Sequence, residues 1–207
     1  MASALLAIWN AVTPDHETAF NAWYDGEHVP ERLALPGFLS ATRYRDAARA
    51  HYYCALYEAE STDSLSSPEY LARLADPTPA TTAIMAQFRD MNRAVCSLEI
   101  DTGALPAPGG TIKIVQLDEQ SADAISPDAA STAARAGGVR IRLARPDAAR
   151  TQVDTPEKKL RGEPDRLPPT LLLIEGNDPA ACSDAVHRLA TGQQALSFSL
   201  LYQRRKD

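Results

Sequence analysis

The sequence predicts an α+β fold: two fused ferredoxin-like halves, each running β-α-β-β-α-β, that close within one chain into an α/β barrel with its helices outside. Three observations lead there. Strand-like and helix-like runs follow that order between residues 5 and 101, and the order returns between 111 and 203. A Gly- and Pro-rich stretch separates the two runs, dividing the chain into 1–103, a linker at 104–110, and 111–207. Each half covers only one face of its sheet with helices, so the two bare faces bury one another. An eight-stranded barrel built this way has room inside for side chains or one small ligand.

Leu5–Val12 is continuously apolar, as a strand buried on both faces should be. Pro14 opens a helix in which Phe20, Trp23 and Glu27 recur at helical spacing, and Pro30 requires it to end or kink near His28. Phe38–Arg45 and His51–Glu60 read as a hairpin pair of strands. Ser61–Ala75 is helical, a further helix runs from Pro79 through Met85, Phe88 and Met91, and Val95–Asp101 is the fourth strand. In the second half the strands are Thr111–Asp118, Val139–Arg145, Thr170–Asn177 and Leu196–Gln203, with helices at Ala122–Ala136 and Pro179–Ala190. The long polar loop at about 146–169 stands where the first half has a hairpin turn. Its composition predicts disorder or solvated decoration.

With 44% hydrophobic residues in 207, a substantial core is available. Residues 1–107 carry a net charge of −7 and residues 108–207 a net +1, which argues against a phosphate-backbone partner. Cys54, Cys96 and Cys182 show no Cys-x-x-Cys spacing and read as buried, reduced thiols of a cytoplasmic protein. The first twelve residues lack a basic n-region and read as a strand, neither signal peptide nor membrane span. His16, His51 and His187 have no metal-ligand spacing, and no Gly-rich phosphate loop follows a strand, so no metal or cofactor is expected.

Residues 20–44 concentrate the chemistry. His28 titrates near neutrality and could move a proton on a substrate, with Asp25 or Glu27 orienting its ring. Tyr24 and Tyr44 could donate to a developing oxyanion, Arg43 could anchor a carboxylate or carbonyl, and Trp9 and Trp23 could wall an apolar ring. The same residues also have a structural reading. A histidine at a helix end can serve the last carbonyls, Phe20 and Trp23 can be core, and the acids beside Arg32 can be surface pairs.

The run Trp23-Tyr-Asp-Gly-Glu-His-Val-Pro-Glu-Arg-Leu33, followed by Pro36-Gly37-Phe38 and Arg43-Tyr44, resembles the EthD-like branch of the dimeric α/β-barrel superfamily. Tyr53–Glu58, Ser67–Tyr70 and Pro77–Pro79 extend the resemblance over residues 5–100 or so. It implies a ferredoxin-like fold and a barrel cavity with His28 near its rim. The superfamily includes cofactor-independent monooxygenases, polyketide cyclases, lactone isomerases and haem-degrading enzymes, so the resemblance implies no single reaction. The second half has no counterpart of Trp23, Tyr24 or His28, which implies a single site in the first half.

The expected function is cofactor-independent acid/base catalysis by a lyase, isomerase or cyclase. The substrate would be a small, partly apolar or aromatic molecule in the barrel cavity. The alternatives are a cofactor-free or haem-linked monooxygenase, with His28 as axial ligand or base, and a non-catalytic small-molecule-binding or accessory protein. No nucleic acid or membrane partner is expected, and a homodimer is compatible with the architecture.

Overall fold

The computed structural model describes residues 2–103, 105, 109–161 and 164–206. Its strands are β1 (Ala4–Val12), β2 (Phe38–Asp46), β3 (Tyr52–Ala59), β4 (Phe88–Asp101), β5 (Thr111–Leu117), β6 (Arg140–Pro146), β7 (Thr170–Gly176) and β8 (Ala195–Arg205). They form a closed barrel in the order β1-β3-β2-β8-β5-β7-β6-β4, antiparallel at every junction. The first half thus contributes the contiguous set β4-β1-β3-β2 and the second β8-β5-β7-β6. The two sets meet at β2 with β8 and at β4 with β6. Closure pairs the edge strands of each half with the other. Most of the linker, namely residues 104 and 106–108, lies outside the described residues.

The helices are α1 (Glu17–Trp23), α2 (Val29–Ala34), α3 (Pro68–Ala75), α4 (Pro79–Met85), α5 (Glu119–Asp123), α6 (Pro127–Gly137), α7 (Ala148–Thr151), α8 (Pro156–Lys159) and α9 (Pro179–Leu189). Strand alternation divides the apolar residues into three cores. Leu5, Ala7, Trp9, Cys54, Ile112, Leu171 and Phe198, drawn from both halves, pack together inside the barrel. Leu6, Ile8, Tyr57, Phe20, Trp23 and Tyr70 fill the layer between the first half's strands and helices. Val115, Ile141, Ile174, Ala130 and Val186 fill the equivalent layer of the second half.

Four elements depart from the sequence reading, the first being the helix expected at Ser61–Ala75, whose α-helical part begins only at Pro68. The helix after Pro79 stops at Met85, and Phe88 and Met91 belong to β4, which is 14 residues long. Pairing with β1 along that length outweighs the helical spacing of these residues, and one extra residue near Asp90 (φ 52°) bends the strand. The predicted helix at Ala122–Ala136 is two helices, because Ser126 caps a new one with Pro127 in its first turn. The described part of the polar loop, residues 146–161 and 164–169, is folded. β6 pairs with β4 only from Cys96 onward, and the segment after β6 covers the edge left bare. Asp147 N–H donates to the Val95 carbonyl (2.7 Å), Val95 N–H to Thr151 Oγ1 (2.9 Å), and Arg166 N–H to the Met91 carbonyl (2.8 Å). Asp147 and Thr155 cap α7 and α8. Composition missed this because the segment buries polar groups, Thr151 and Glu157, against partners in the other half.

Candidate functional site

α1 and α2 form one helical rod interrupted by a π-turn at Tyr24–His28. Pro30 accounts for it: without an N–H it cannot bond the Gly26 carbonyl, and its ring presses on that turn. The chain widens, and Val29 N–H donates to the Tyr24 carbonyl instead. This is the kink expected near His28. The wider turn directs Trp23, Tyr24, His28, Val29 and Arg32 inward together, and such turns recur at functional sites. Gly26 lies exposed on its outer side, without positive φ and with nothing within 4 Å of an added Cβ. Gly26→Ala should therefore raise stability by about 0.4–1 kcal/mol, seen as a higher denaturation midpoint at unchanged slope.

His28 is 4% exposed. Its ring centroid lies 4.4 Å from that of Trp23 and 5.0 Å from that of Tyr24, and no protein group bonds its Nδ1. Beside it is a cavity of about 20 Å³, enough for one water-sized molecule. Leu6, Ile8, Met85, Phe88 and Met91 supply its apolar wall. Among the polar side chains that also line it are His28, Tyr57, Arg32 and Arg161. Each has a buried atom unpartnered within the protein, respectively Nδ1, the hydroxyl, Nη1 and Nε. The Tyr24 phenol raises the Tyr57 pKa further above what burial does, but it is not in hydrogen-bonding geometry with the Tyr57 hydroxyl. Unpaired buried groups cost about 1–3 kcal/mol each, so four converging on one void make a site for a polar ligand.

The sequence-predicted residues divide among three places. Trp23, Tyr24 and His28 share the layer between helices and barrel wall. Trp9 and Tyr44 point the other way, into the barrel, where Tyr44 donates to Glu175 and Glu175 pairs with Arg142 (2.7 Å). Neighbouring strand residues face opposite sides of a sheet, so these two cannot touch a ligand held by His28. His28 thus lies outside the barrel wall, whereas Trp9 and Tyr44 belong to the cluster packed inside it. Arg43, 1% exposed, donates to Asp25 and to Asn21 Oδ1 (2.7 Å) and sits 4.2 Å from the Tyr24 ring centroid. It clamps helix to strand and has no free face for a substrate. Asp25 is thus taken up by Arg43. Glu27 accepts from Thr78 Oγ1 (2.5 Å), and Trp23 Nε1 donates to Thr81 Oγ1 (3.2 Å). Neither acid orients His28.

Sequence reasoning missed Arg32, Tyr57, Glu157 and Arg161. Arg32, read as a surface residue, is 1% exposed and donates from Nη2 to Glu157 Oε2 (2.6 Å). Arg161 donates to Asp165 (2.7 Å). Glu157 and Arg161 belong to the segment after β6, so the cavity has walls from both halves, against the expectation of a first-half site. Only tertiary structure joins residues 125 positions apart. The one sequence signal was the length of the loop that carries them.

Burial, and after it the positive charges of Arg32, Arg43, Arg161 and Arg73, hold the His28 pKa well below its usual 6.5. The folded imidazole is therefore neutral at pH 7. Below pH 6.5 the unfolded chain takes up a proton here that the folded chain does not. Stability should fall as pH falls through that region, by up to about 1.4 kcal/mol per pH unit from this residue, and its contribution should be constant above it. Denaturation between about pH 7.5 and about pH 5.5 should show the slope in the wild type and a reduced slope in His28→Phe. Burial likewise pushes Tyr24 up to about 12 and raises Tyr57, so both phenols remain protonated donors.

No known family matches the chain, and no curated protein matches it. Solved structures share its fold. A candidate monooxygenase from Fusobacterium nucleatum superposes with a TM-score of 0.59 at 11% identity, covering 99% of this chain and 95% of that one. An anthrone oxidase-like protein gives 0.54 at 11% identity, covering 99% and 93%. A candidate chlorite dismutase gives 0.55 at 12% identity, covering 98% and 96%. These likenesses place the chain among α+β proteins with a closed antiparallel barrel. Among the described residues no helix is long and apolar enough to cross a membrane, and no cluster of three metal-ligating side chains occurs. Haem, considered with His28 as ligand, does not fit there: the Trp23 indole packs against the imidazole, its ring centroid 4.4 Å away.

Proposed function

We propose that this chain is a small-molecule enzyme of the α+β-barrel type whose reaction begins with proton abstraction by His28. The observation that carries this reading is a neutral, buried imidazole with an unpartnered Nδ1 at a partly apolar void. A neutral imidazole can accept a proton without first losing one. The Tyr57 hydroxyl and the Arg32 and Arg161 guanidiniums line the same void and would stabilise the negative charge left on the substrate. An enolate or phenolate formed this way leads to isomerase, lyase or cyclase products. We place the chain with EthD-like proteins on the residues 23–33 and read its two strand sets as fused ferredoxin-like halves. Three buried, unpaired thiols support a cytoplasmic setting.

Likeness to the candidate monooxygenase favours a second outcome of the same step, in which the deprotonated substrate gives its electrons to dioxygen. The proton-abstraction reading is tested by incubating the protein in D₂O with a panel of small aromatic ketones and 1,3-dicarbonyl compounds, each as the neutral molecule and with a carboxylate substituent. NMR should show deuterium entering at least one of them at a rate that His28→Phe abolishes. Oxygen uptake with the exchanging compound separates the two outcomes. Exchange that is no faster with wild type than with His28→Phe for every compound would refute the reading.

A further inference from the structure

The geometry points to a carboxylate-bearing ligand at this site, with the Glu157 side chain standing in for its carboxylate in the present state. This rests on the site proposed above and names the class of molecule it takes. Arg32 is almost wholly buried, lines the cavity and donates from Nη2 to Glu157; its Nη1 is unpartnered within the protein. Arg161, whose Nε is also unpartnered, lines the same void, as does Arg93, which donates to the Thr151 carbonyl (3.1 Å) and the Tyr70 hydroxyl (3.3 Å). Three guanidiniums, those of Arg32, Arg93 and Arg161, thus line this void, and the Glu157 carboxylate lines it with them.

Glu157 also stands at the entrance. A second crevice, again of about 20 Å³, lies on the solvent side, and Tyr70, Arg93, Glu157 and Arg161 line both it and the inner cavity. These four side chains form the partition between outside and His28. A molecule reaching His28 through it must move the Glu157 carboxylate from Arg32. A carboxylate can do so without leaving the guanidinium unpaired in a buried setting, whereas a neutral molecule cannot. The planar, bidentate fork of arginine suits that exchange. The apolar wall of Met85, Phe88 and Met91 selects an organic acid over an inorganic anion, and methionine adapts its shape to what enters.

The test uses the intact protein with sodium benzoate, benzamide and inorganic phosphate as probes, followed by calorimetry and thermal unfolding. Benzoate should bind wild type at least about tenfold more tightly than benzamide or phosphate. In Glu157→Gln, which removes the internal competitor, benzoate affinity should rise by a further factor of about ten. Benzoate should also raise the melting temperature of that variant more than that of wild type. If Glu157→Gln does not fold, the comparison of the three probes on wild type decides alone. Equal binding of benzoate and benzamide, phosphate binding as tight as benzoate, no benzoate binding, or weaker benzoate binding by a folded Glu157→Gln would each overturn the assignment. None of these measurements depends on turnover. Deuterium exchange without carboxylate preference would sink this inference alone, and carboxylate binding without exchange would sink the proton-transfer reading alone.

Discussion

Arg32→Met is expected to destabilise the fold by about 3–5 kcal/mol, because it leaves the Glu157 carboxylate buried without its partner. The double variant Arg32→Met, Glu157→Leu should recover most of that loss. It removes both charges together, and well-packed apolar replacements of a buried pair are often neutral or stabilising. Chemical denaturation of the two single variants and the double variant gives the coupling directly. A coupling below about 1 kcal/mol would mean that the pair behaves as an exposed one, and that the segment carrying Glu157 does not hold against α2 in solution.

His28→Phe should leave stability unchanged or raise it by about 1 kcal/mol, since a ring of similar shape replaces one with an unsatisfied buried nitrogen. Its turnover of any exchanging compound should nevertheless drop about 10²–10⁴-fold, as for loss of a general base. His28→Ala should lose both. The imidazole packs 4.4 Å from the Trp23 ring, and deleting it should cost on the order of 3 kcal/mol. The pair of substitutions separates the two roles that the residue combines. If His28→Phe turned over as fast as wild type, the histidine would be a core residue and nothing more.

Much of this was legible from residues whose roles are local. The apolar run at Leu5–Val12, the hairpin of β2 and β3 and the Pro30 interruption follow from periodicity and proline chemistry, and they place His28 at the end of the first half's first helix. What could not be read is whatever depends on sheet face or on distant pairing. Tyr44 lies one residue from Arg43, yet the pleat sends it to the opposite side of the wall, and sequence alone does not say which side holds the void. Arg32 looked like a surface charge because its partner is 125 positions away in a segment of solvent-like composition. The missed half of the site is a tertiary product.

That segment has a further consequence for how the molecule comes into being. The strands and helices around His28 are complete by Asp101, but the piece that covers the β4 edge and screens the imidazole runs from Asp147 to Arg166. At ordinary ribosomal speed, about 5–20 residues per second, some 60 residues take several seconds to synthesise. During that interval the nascent first half would present a bare strand edge and an unscreened hollow that already holds Arg32 and Arg93. A carboxylate-bearing ligand of the proposed kind, or a chaperone that masks strand edges, would meet the hollow first on the ribosome, before the chain has made its own cover.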